Sequence, residues 1–506
     1  MRAWRNLADA LDLGSSAARR MGSIPFARTS RMCDGSVCGR CRFLFARGCS
    51  ARPVGAKGEV FLRVPFTGRQ FSSFQVIGLS FLALIAVGTL LLMLPFTTQS
   101  GESAPFLTAL FTTVSASCVT GLTVENTALY WSPLGQLILL ALIQVGGLGV
   151  VTMAVAVTVA SGRKVGFMQR STMQEAVAAP QLGGIVLQLR FILLFTFGCE
   201  LLGALLLLPV FARDYGWLEG SWLALFHAVS AFCNAGFDLL GERAGGSLMA
   251  YAADPLVNLV ITALILAGGL GFITWGDLRL HGRHLGRCRL QTKIILLMTA
   301  ALVIVPTAIF YLLEFPELQG AARFWASLFQ AVTPRTAGFN TVDIETMSET
   351  GRLLIVALMF TGGAPGSTAG GIKTTTLFVL LATMISSLRL KKDVELTHLR
   401  RRISLETVRR ALTIFLVYLV LLFSVTVFIS YHDGVPLMDA MVETASALGT
   451  VGLSIGLTEH LSPVSQLLLC GLMYFGRMGA LTLIYAMHTR REPVPRRLPE
   501  SAVTVG

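Results

Sequence analysis

Long apolar runs separated by short polar connectors dominate the chain from about residue 70 onward. A helix that crosses a bilayer needs roughly 20 predominantly apolar residues. Runs of that length lie near residues 72 to 96, 133 to 158, 190 to 211, 255 to 277, 291 to 313, 351 to 388, 409 to 430 and 464 to 488. The pattern therefore predicts eight transmembrane helices.

A shorter apolar segment lies between the members of each successive pair of long runs. The four segments read FLTALFTTVSASCVTGL, SWLALFHAVSAFCNAGF, ARFWASLFQAVTPRTAGF and LMDAMVETASALGTVGL. Each apolar part is too short to cross the membrane alone, which is typical of a re-entrant half-helix. The predicted fold is all-α and polytopic, with eight transmembrane helices and four re-entrant half-helices.

The four short segments are related by an internal repeat. They end in VTGL, NAGF, TAGF and TVGL, which places Gly121, Gly236, Gly338 and Gly452 in one register at spacings of 115, 102 and 114 residues. A recurring period of this kind indicates repeated structural units. Four helix, half-helix, turn and helix units are predicted at 71–165, 186–280, 290–392 and 405–490, between an arm at 1–70 and a tail at 491–506.

The second long run of each unit also repeats. GGLGVVT, GGLGFIT and GRMGALT share a pattern, and the third unit has GGAPGST in its place. Arg477 occupies the position of Gly147, Gly269 and Gly363. A guanidinium inside an apolar helix is costly and usually has a role. Two interpretations stay open: an ion pair with an acid such as Glu443, or a positive charge below the turns that hinders the flow of cations.

Composition supports a membrane protein and disfavours nucleic-acid binding. Apolar residues make up 54% of the chain, charged residues only 14%, and the mean hydropathy is +0.68. The net charge of +13 arises from Lys and Arg gathered in connectors between apolar runs. Such connectors face the cytoplasm, whereas the connectors that carry the short segments hold more acids. Both termini are predicted to be cytoplasmic, with an acidic outer rim that attracts cations.

The N-terminal arm is rich in arginine and contains a group of cysteines. The spacing of Cys33, Cys38, Cys41 and Cys49 could ligate zinc, although it matches no common zinc module. A disordered basic arm, a targeting-like segment, or an over-long gene start with Met21 or Met32 as a later start remain alternatives. No cysteine pattern in the chain indicates a disulfide framework.

The repeated glycine turns suggest a cation pathway. A cation that leaves water must have its hydration shell replaced, and rings of backbone carbonyls achieve this without trapping the ion. Glycine lets the backbone adopt the required conformation and approach its neighbours closely. A glycine can also simply end a helix, but four in register inside re-entrant segments favour a ring around one axis.

The stretch TGGAPGSTAGGIKTTT at 361–376 resembles a phosphate-binding loop, but two features argue against that function. Ile372 separates Gly371 from Lys373, and the flanking segments are apolar helix rather than the required strand and soluble helix. The glycines and Pro365 instead predict a break in the second helix of the third unit. Non-helical backbone at that depth must line a cavity or be buried in protein, as a gate would be.

Taken together, SASCVTGLTV, QVGGLG, SAFCNAGFDL, TPRTAGFNTVD, GGAPGSTAGGIKTTT, ALGTVGLSIGLT and FGRMGALT resemble the Trk/Ktr/HKT superfamily of potassium transporters, most closely the bacterial Ktr-type membrane subunit. The resemblance covers about residues 70 to 490. It implies four M1-P-M2 repeats around one pore in the inner (plasma) membrane. Gly121 matches the potassium-preferring form, since relatives with serine there tend to prefer sodium.

The resemblance also implies site residues and partners. K⁺ would be ligated by backbone carbonyls of Val119, Thr120, Gly121, Asn234, Ala235, Gly236, Thr336, Ala337, Gly338, Thr450, Val451 and Gly452. The gate would comprise Gly362, Gly363, Gly366, Ser367, Thr368, Gly370, Gly371 and Lys373, with Arg477 as a barrier. It implies a homodimer and a cytosolic nucleotide-binding RCK-type ring. The basic connectors 279–293 and 389–410 are candidate contacts for that ring, and the alternative that they serve only as topology signals stays open. No cofactor is expected in the chain; K⁺ is the transported ion and Na⁺ a candidate activator.

Two other functional classes are weighed against this interpretation. A sodium- or proton-coupled symporter of another solute would need membrane-buried acids at a central site, for which Glu200 is the main candidate. A membrane enzyme would need a cluster of catalytic or metal-binding groups. The seven histidines, His281 and His284 among them, show no such ligand set in the sequence.

Overall fold

The computed structural model describes residues 62–63, 70–177, 184–241, 246–282, 284–390, 394–396, 401–480 and 482. This part of the chain is predominantly helical, with 17 α-helices and two small antiparallel sheets. The cysteine-bearing arm, and with it the zinc hypothesis for Cys33, Cys38, Cys41 and Cys49, lies outside the described residues, as does the tail 491–506.

Within the described residues, four helices are long and apolar enough to cross a membrane by themselves. These long helices are Ser73–Leu92, Ile185–Tyr215, Leu290–Leu313 and Leu405–Asp433. The first begins with a reciprocal cap in which Ser72 accepts a hydrogen bond from the Gln75 backbone and Gln75 returns one, which satisfies two backbone donors at the helix start. Large apolar side chains such as Leu187 and Leu312 stay exposed on these helices, as expected of surfaces that face lipid.

Four short helices follow the long helices along the chain. They are Phe106–Cys118, Trp217–Cys233, Gly320–Val332 and Leu437–Gly449. Their C-terminal halves are buried except for the partly buried Leu328, unlike the exposed sides of the long helices. Each is too short to span a bilayer and ends at one of the repeated glycine turns.

The next helices begin with a shared local signal. Pro133–Leu148, Pro255–Gly269 and Pro463–Met478 each start with proline directly after a serine or aspartate, whose side chain accepts a backbone hydrogen bond. Proline at the first helical position costs no hydrogen bond. It lacks a backbone N–H, but the N–H at that position has no acceptor within the helix in any case. The helix of the third unit, Glu349–Met359, is capped by Ser348 in the same manner but lacks the proline.

The structure corrects the prediction for the second apolar run of the first two units. Pro133–Leu148 is followed by Val150–Ala160 at 98°, and Pro255–Gly269 by Phe272–His281 at 95°. The breaks fall at Gly149 and Gly271, whose φ values of +86° and +84° cannot belong to a right-handed helix. Gly479 in the fourth unit has φ +79°. A continuous apolar run therefore conceals a sharp turn.

The third unit departs from helix over a longer stretch. The chain leaves the helix at Met359 and resumes it at Thr374–Leu388. Residues 362–373 of this interval are named the glycine loop, and an isolated bridge between Thr361, just before the loop, and Ile372 brings its two ends together. This loop follows a helix and not a strand, so the structure offers no phosphate-binding βα unit here.

The remaining elements connect these parts. Helices Thr127–Tyr130 and Phe167–Val177 lie in connectors, strands Leu62–Arg63 and Gln70–Phe71 pair, and a hairpin pairs Val394–Leu396 with Arg401–Ile403. Buried apolar side chains form two clusters. One is built mainly from the first two units and the other mainly from the third and fourth. The glycine turns lie where elements from both clusters meet.

Candidate functional site

The four glycine turns share an unusual backbone conformation. The residue two positions before each glycine has a positive φ: 59° at Val119, 58° at Asn234, 73° at Thr336 and 51° at Thr450. Three of these residues are β-branched, for which a positive φ is a genuine outlier that the surrounding structure must enforce. Strain repeated at one register in four turns indicates a functional geometry.

The four glycines form a closed ring in chain order. A Cβ built on Gly121 would lie 2.4 Å from the carbonyl oxygen of Ala235, and one on Gly236 would lie 2.7 Å from that of Ala337. A Cβ on Gly338 would lie 2.4 Å from the oxygen of Val451, and one on Gly452 only 2.1 Å from that of Thr120. Every turn therefore meets the next, and the fourth meets the first.

The backbone N–H groups of the turns are already occupied. The N–H groups of Thr120, Ala235 and Val451 each donate to a carbonyl oxygen inside the preceding short helix at 2.8 Å, and that of Ala337 donates to the carbonyl of Thr333, which caps its short helix, at 2.9 Å. Among the hydrogen bonds of the described residues, none ends on the carbonyl oxygens of Thr120, Ala235, Ala337 or Val451. The ring consequently presents unpaired oxygens, which can bind a cation.

Hydroxyl groups in the last turns and caps of the short helices hold the turns in place. Ser115 and Ser446 accept the N–H of Gly121 and Gly452, each at 3.0 Å. In the second and third turns the direction reverses: Ser230 donates to the Phe237 carbonyl at 2.8 Å and Thr333 to the Phe339 carbonyl at 2.7 Å. The first and fourth turns thus match each other, as do the second and third.

Arg477 does not form the ion pair with Glu443 that the sequence left open. Its guanidinium donates to the carbonyl oxygens of Gly146, Gly147 and Thr368. Glu443 instead accepts hydrogen bonds from the Thr458 hydroxyl at 2.6 Å and the Ile455 N–H at 3.2 Å. Arg477 therefore connects the first, third and fourth units.

The glycine loop packs directly against the glycine turns. A Cβ on Gly370 would lie 2.0 Å from the Thr450 hydroxyl, and one on Gly362 only 2.1 Å from the Gly370 carbonyl oxygen. The Thr368 hydroxyl donates to the carbonyl of Phe232 at 3.1 Å. Lys373 donates to the carbonyls of Ala369 and Gly370 at 2.8 and 3.2 Å. The loop leaves no space for side chains at these glycines.

Further contacts tie the loop to the second unit. The N–H of Ala364 donates to the Gly269 carbonyl at 2.9 Å, and the N–H of Phe272 to the Gly366 carbonyl at 3.0 Å. Ser367 closes the loop on itself through a 2.6 Å bond to the Ala364 carbonyl. Most of these bonds are between backbone groups, so they depend on local conformation more than on side-chain identity.

A cavity opens on the opposite side of the ring, toward the connectors predicted to face outward. It has a volume of about 130 Å³ and is lined by Gly121, Gly236, Thr123, Asp238, Glu459 and neighbouring residues. Burial raises the pKa of Asp238 to about 6, although the N–H groups of Leu240 and Gly241 oppose this by stabilising the carboxylate. Acidic groups therefore stand at the entrance to the ring.

Glu200, the candidate acid of a coupled symporter, is buried between helices. Its carboxylate accepts a hydrogen bond from the Gln144 amide at 3.3 Å and from the Cys233 thiol at 3.8 Å.

One histidine departs from the expectation that the histidines form no set of metal ligands. The structure does bring His281 together with Asp277 and Cys288, so that one donor atom of each lies within 4.8 Å of the others.

Two features of the site were missed by sequence reasoning. The breaks at Gly149, Gly271 and Gly479 were signalled by the fourth position of GGLG, GGLG and GRMG, which corresponds to Pro365 in the third unit. The positive φ two residues before each glycine could not be predicted from the sequence, because Val, Asn and Thr share no preference for a positive φ.

Comparisons with known proteins agree with this architecture. Residues 67–492 match the family described as TrkH, cation transport protein. The potassium/sodium uptake protein NtpJ of Enterococcus hirae is 38% identical over 449 residues, which are 87% of this chain and 98% of that protein. The Ktr system potassium uptake protein B of Bacillus subtilis is 38% identical over 443 residues, or 86% and 97% of the two chains.

A solved structure has the same fold. The potassium transporter TrkH from Vibrio parahaemolyticus superposes with a TM-score of 0.63 at 19% identity, covering 82% of this chain and 84% of that chain. The similarity inferred from the motifs is therefore confirmed, and it spans the region that the motifs indicated.

Proposed function

Since this chain belongs to the TrkH family of cation transport proteins, we propose that it is a multi-pass membrane protein that takes up K⁺ across the plasma membrane through a pore at the ring of glycine turns. The closed contact of the four turns, from Gly121 through to Gly452, is the observation that carries this proposal. Relatives named as potassium uptake proteins, 38% identical over most of their length, support the choice of cation.

The proposed selectivity filter is made by the turns themselves. Its carbonyls come from the strained residue, the following residue and the glycine of each turn, that is 119–121, 234–236, 336–338 and 450–452. Such oxygens replace the water lost by K⁺. The short helices end at these turns, so their partly negative C-termini also favour a cation there. K⁺ is the cargo in this proposal and not a resident cofactor.

The proposed architecture has eight membrane spans and four re-entrant half-helices in four units. The four long helices and the two bent pairs supply up to six of these spans. The pair Glu349–Met359 and Thr374–Leu388 and the helix Pro463–Met478 would supply the other two, and the short helices would supply the half-helices. The basic connectors would face the cytoplasm, which places both termini there. Acidic groups such as Asp238 and Glu459 would then face outward, where they raise the local concentration of cations.

The proposed gate is the glycine loop together with Arg477. The loop packs against the Thr450 side of the ring, and the guanidinium holds it through the Thr368 carbonyl. A positive charge beside the path of a cation raises the barrier to its flow. Opening would require these backbone hydrogen bonds to break.

The proposed partners are a second copy of the chain and a cytosolic nucleotide-binding ring. The connectors 279–293 and 389–410 are basic in sequence, and the second contains the hairpin Val394–Leu396 and Arg401–Ile403. On the predicted inner face they would offer positive charge to such a ring. The outward-turned apolar sides of the long helices provide surface for lipid or for a second copy.

The deciding experiment is rescue of a bacterium that lacks potassium uptake. Expression of this chain with its regulatory subunit should restore growth at sub-millimolar K⁺, and restoring growth is the outcome that only an uptake pathway predicts. A symporter of another solute or a membrane enzyme gives no growth. Absence of growth despite normal amounts of protein in the membrane would refute the proposal.

A further inference from the structure

A cluster of three potential metal ligands lies apart from the ring and the glycine loop. Asp277 and His281 are four residues apart on the helix Phe272–His281 and share one face of it. Cys288 follows after the short turn Leu285–Arg287 and immediately precedes the long helix Leu290–Leu313. The sequence spacing is D-x3-H-x6-C.

The chain folds so that the three side chains converge. Asp277 and Cys288 are almost fully buried, with 4% and 5% of their surface exposed. The Nδ1 atom of His281 lies 3.1 Å from a carboxylate oxygen of Asp277. One donor atom from each of the three residues lies within 4.8 Å of the others.

We propose that Asp277, His281 and Cys288 form a binding site for Zn²⁺ or a similar divalent transition metal. Zinc bonds of 2.0 to 2.3 Å place neighbouring tetrahedral ligand atoms about 3.3 to 3.8 Å apart. Small side-chain movements would bring the cluster to that spacing. Sulfur and imidazole donors select zinc over Mg²⁺ or Ca²⁺, which take oxygen ligands.

The surroundings suit such a site. The backbone N–H of Arg289 donates to the second carboxylate oxygen of Asp277 at 2.9 Å, which fixes the carboxylate as outer-shell partners of metal ligands do. A thiolate and a carboxylate neutralise the two charges of the ion, so the occupied site would carry no net charge in a connector that already holds Arg279 and Lys293. The fourth position of a tetrahedral site is left for water.

An ion pair without metal explains only part of the cluster. Contact between His281 and Asp277 would account for those two side chains. It does not account for a buried thiol at the same point, whose nearest described hydrogen-bond acceptor is the His284 carbonyl at 4.0 Å. A metal ion would use all three groups. It would join the end of the second unit to the first helix of the third, within a basic connector.

The test measures metal binding directly and is independent of ion transport. The full chain is purified in detergent with Cys33, Cys38, Cys41 and Cys49 replaced by serine, so that the arm contributes no thiols. After treatment with a chelator, Zn²⁺ is titrated and counted by elemental analysis. Co²⁺ is titrated separately, because a thiolate-to-cobalt charge-transfer band reports a cysteine ligand.

The parent protein should bind one Zn²⁺ per chain and show the cobalt band. Cys288→Ser should abolish the band, and His281→Gln and Asp277→Asn should each weaken binding at least about tenfold. Cys199→Ser and His432→Gln are matched controls outside the cluster and should change neither. Zn²⁺ should raise the melting temperature of the parent protein but not that of Cys288→Ser.

Two results would overturn the proposal. One is a parent protein that binds no zinc after chelation, which leaves the Asp277–His281 ion pair as the whole explanation of the cluster. The other is an unchanged cobalt band in Cys288→Ser. Gel filtration checks that each variant is folded. If one variant aggregates, the other two variants and the titration of the parent protein still show whether the cluster binds zinc.

Discussion

At the scale of single residues, the ring depends on the absence of side chains at four positions. Gly121 has a φ of +95°, and a Cβ there would lie 2.4 Å from the Ala235 carbonyl oxygen. Heavy atoms essentially never approach that closely, so any other residue must displace an oxygen of the proposed filter. The hydroxyl of a serine would also add a polar group beside the pathway.

Gly121→Ser is expected to weaken selectivity for K⁺ over Na⁺. Displacement of the Ala235 oxygen changes the ring of carbonyl oxygens, which then no longer fits a dehydrated K⁺. A loss of about 1.4 kcal/mol in the free-energy difference between K⁺ and Na⁺ would lower the selectivity ratio about tenfold. The measurement is K⁺ and Na⁺ uptake at matched expression. Gly101→Ser is the control, since Gly101 also has a positive φ of +74° but nothing within 4 Å. Unchanged relative fluxes in Gly121→Ser would argue against the filter assignment.

Asp238 gives the outer cavity a titratable charge. With a pKa of about 6, its carboxylate is charged at neutral external pH and becomes protonated as the pH falls through 6. Lowering the pH from 7 to 5 should therefore raise the K⁺ concentration for half-maximal uptake by roughly two- to fivefold, as ~0.5 to 1 kcal/mol of attraction is lost.

Asp238→Asn should show the weaker K⁺ affinity at pH 7 and lose most of the change between pH 7 and 5. Glu102→Gln, an exposed acid that does not line the cavity, should keep the wild-type pH profile. The measurement is the K⁺ dependence of uptake at a series of external pH values. A full pH response in Asp238→Asn would assign the titration to another group.

At the scale of elements, the glycine loop is a break in a helix that is held by backbone hydrogen bonds and one guanidinium. Gly366 and Gly371 have φ values of +69° and +62°, so an uninterrupted helix cannot form through them. The first two units also have a sharp turn at the equivalent position, between the two helices of each bent pair. In the third unit the break is extended into a loop, whereas in the first two units a helix resumes within two residues.

Deletion of residues 366–371 is expected to raise K⁺ flux several-fold. The shortened segment cannot reach the Thr450 side of the ring or offer the Thr368 carbonyl to Arg477. Flux is measured in membrane vesicles or proteoliposomes. Thr368→Val removes only the hydroxyl bond to Phe232 and should have a much smaller effect. Reduced transport by a deletion variant that inserts normally would contradict the gate role.

At the scale of the whole molecule, the fourth unit closes the ring against the first. Gly452 lies 331 residues after Gly121, yet a Cβ on Gly452 would meet the Thr120 carbonyl oxygen at 2.1 Å. Arg477 adds a second connection between distant units through Gly146 and Gly147. The proposed pathway therefore requires contacts from all four units.

Gly452→Ala should reduce K⁺ uptake at least about tenfold, equivalent to about 1.4 kcal/mol, because the added Cβ must displace an oxygen of the first unit. Gly456→Ala is a close control: Gly456 lies in the following loop with φ +82° and nothing within 4 Å. Uptake and membrane abundance of both variants are compared. Equal uptake by the two variants would show that contact between the fourth and first units is not needed.

Much of this molecule follows from the sequence alone. The length of the apolar runs dictates membrane-spanning helices, since the bilayer allows few other structures. The repeat at Gly121, Gly236, Gly338 and Gly452 and the departure at Arg477 are visible as patterns, and they were sufficient to identify the family. The hydrogen-bond acceptors of Arg477 could not be predicted, because they are backbone carbonyl oxygens, which every residue has.

The tertiary structure decided what depends on distances between units. It bent two apolar runs at Gly149 and Gly271, which periodicity could not detect, because the residues on both sides are equally apolar. It brought Asp277, His281 and Cys288 together across a turn. It also closed four separate turns into one ring, since the approach of backbones far apart in sequence is set by packing, whereas each helix is set by its own residues and the membrane.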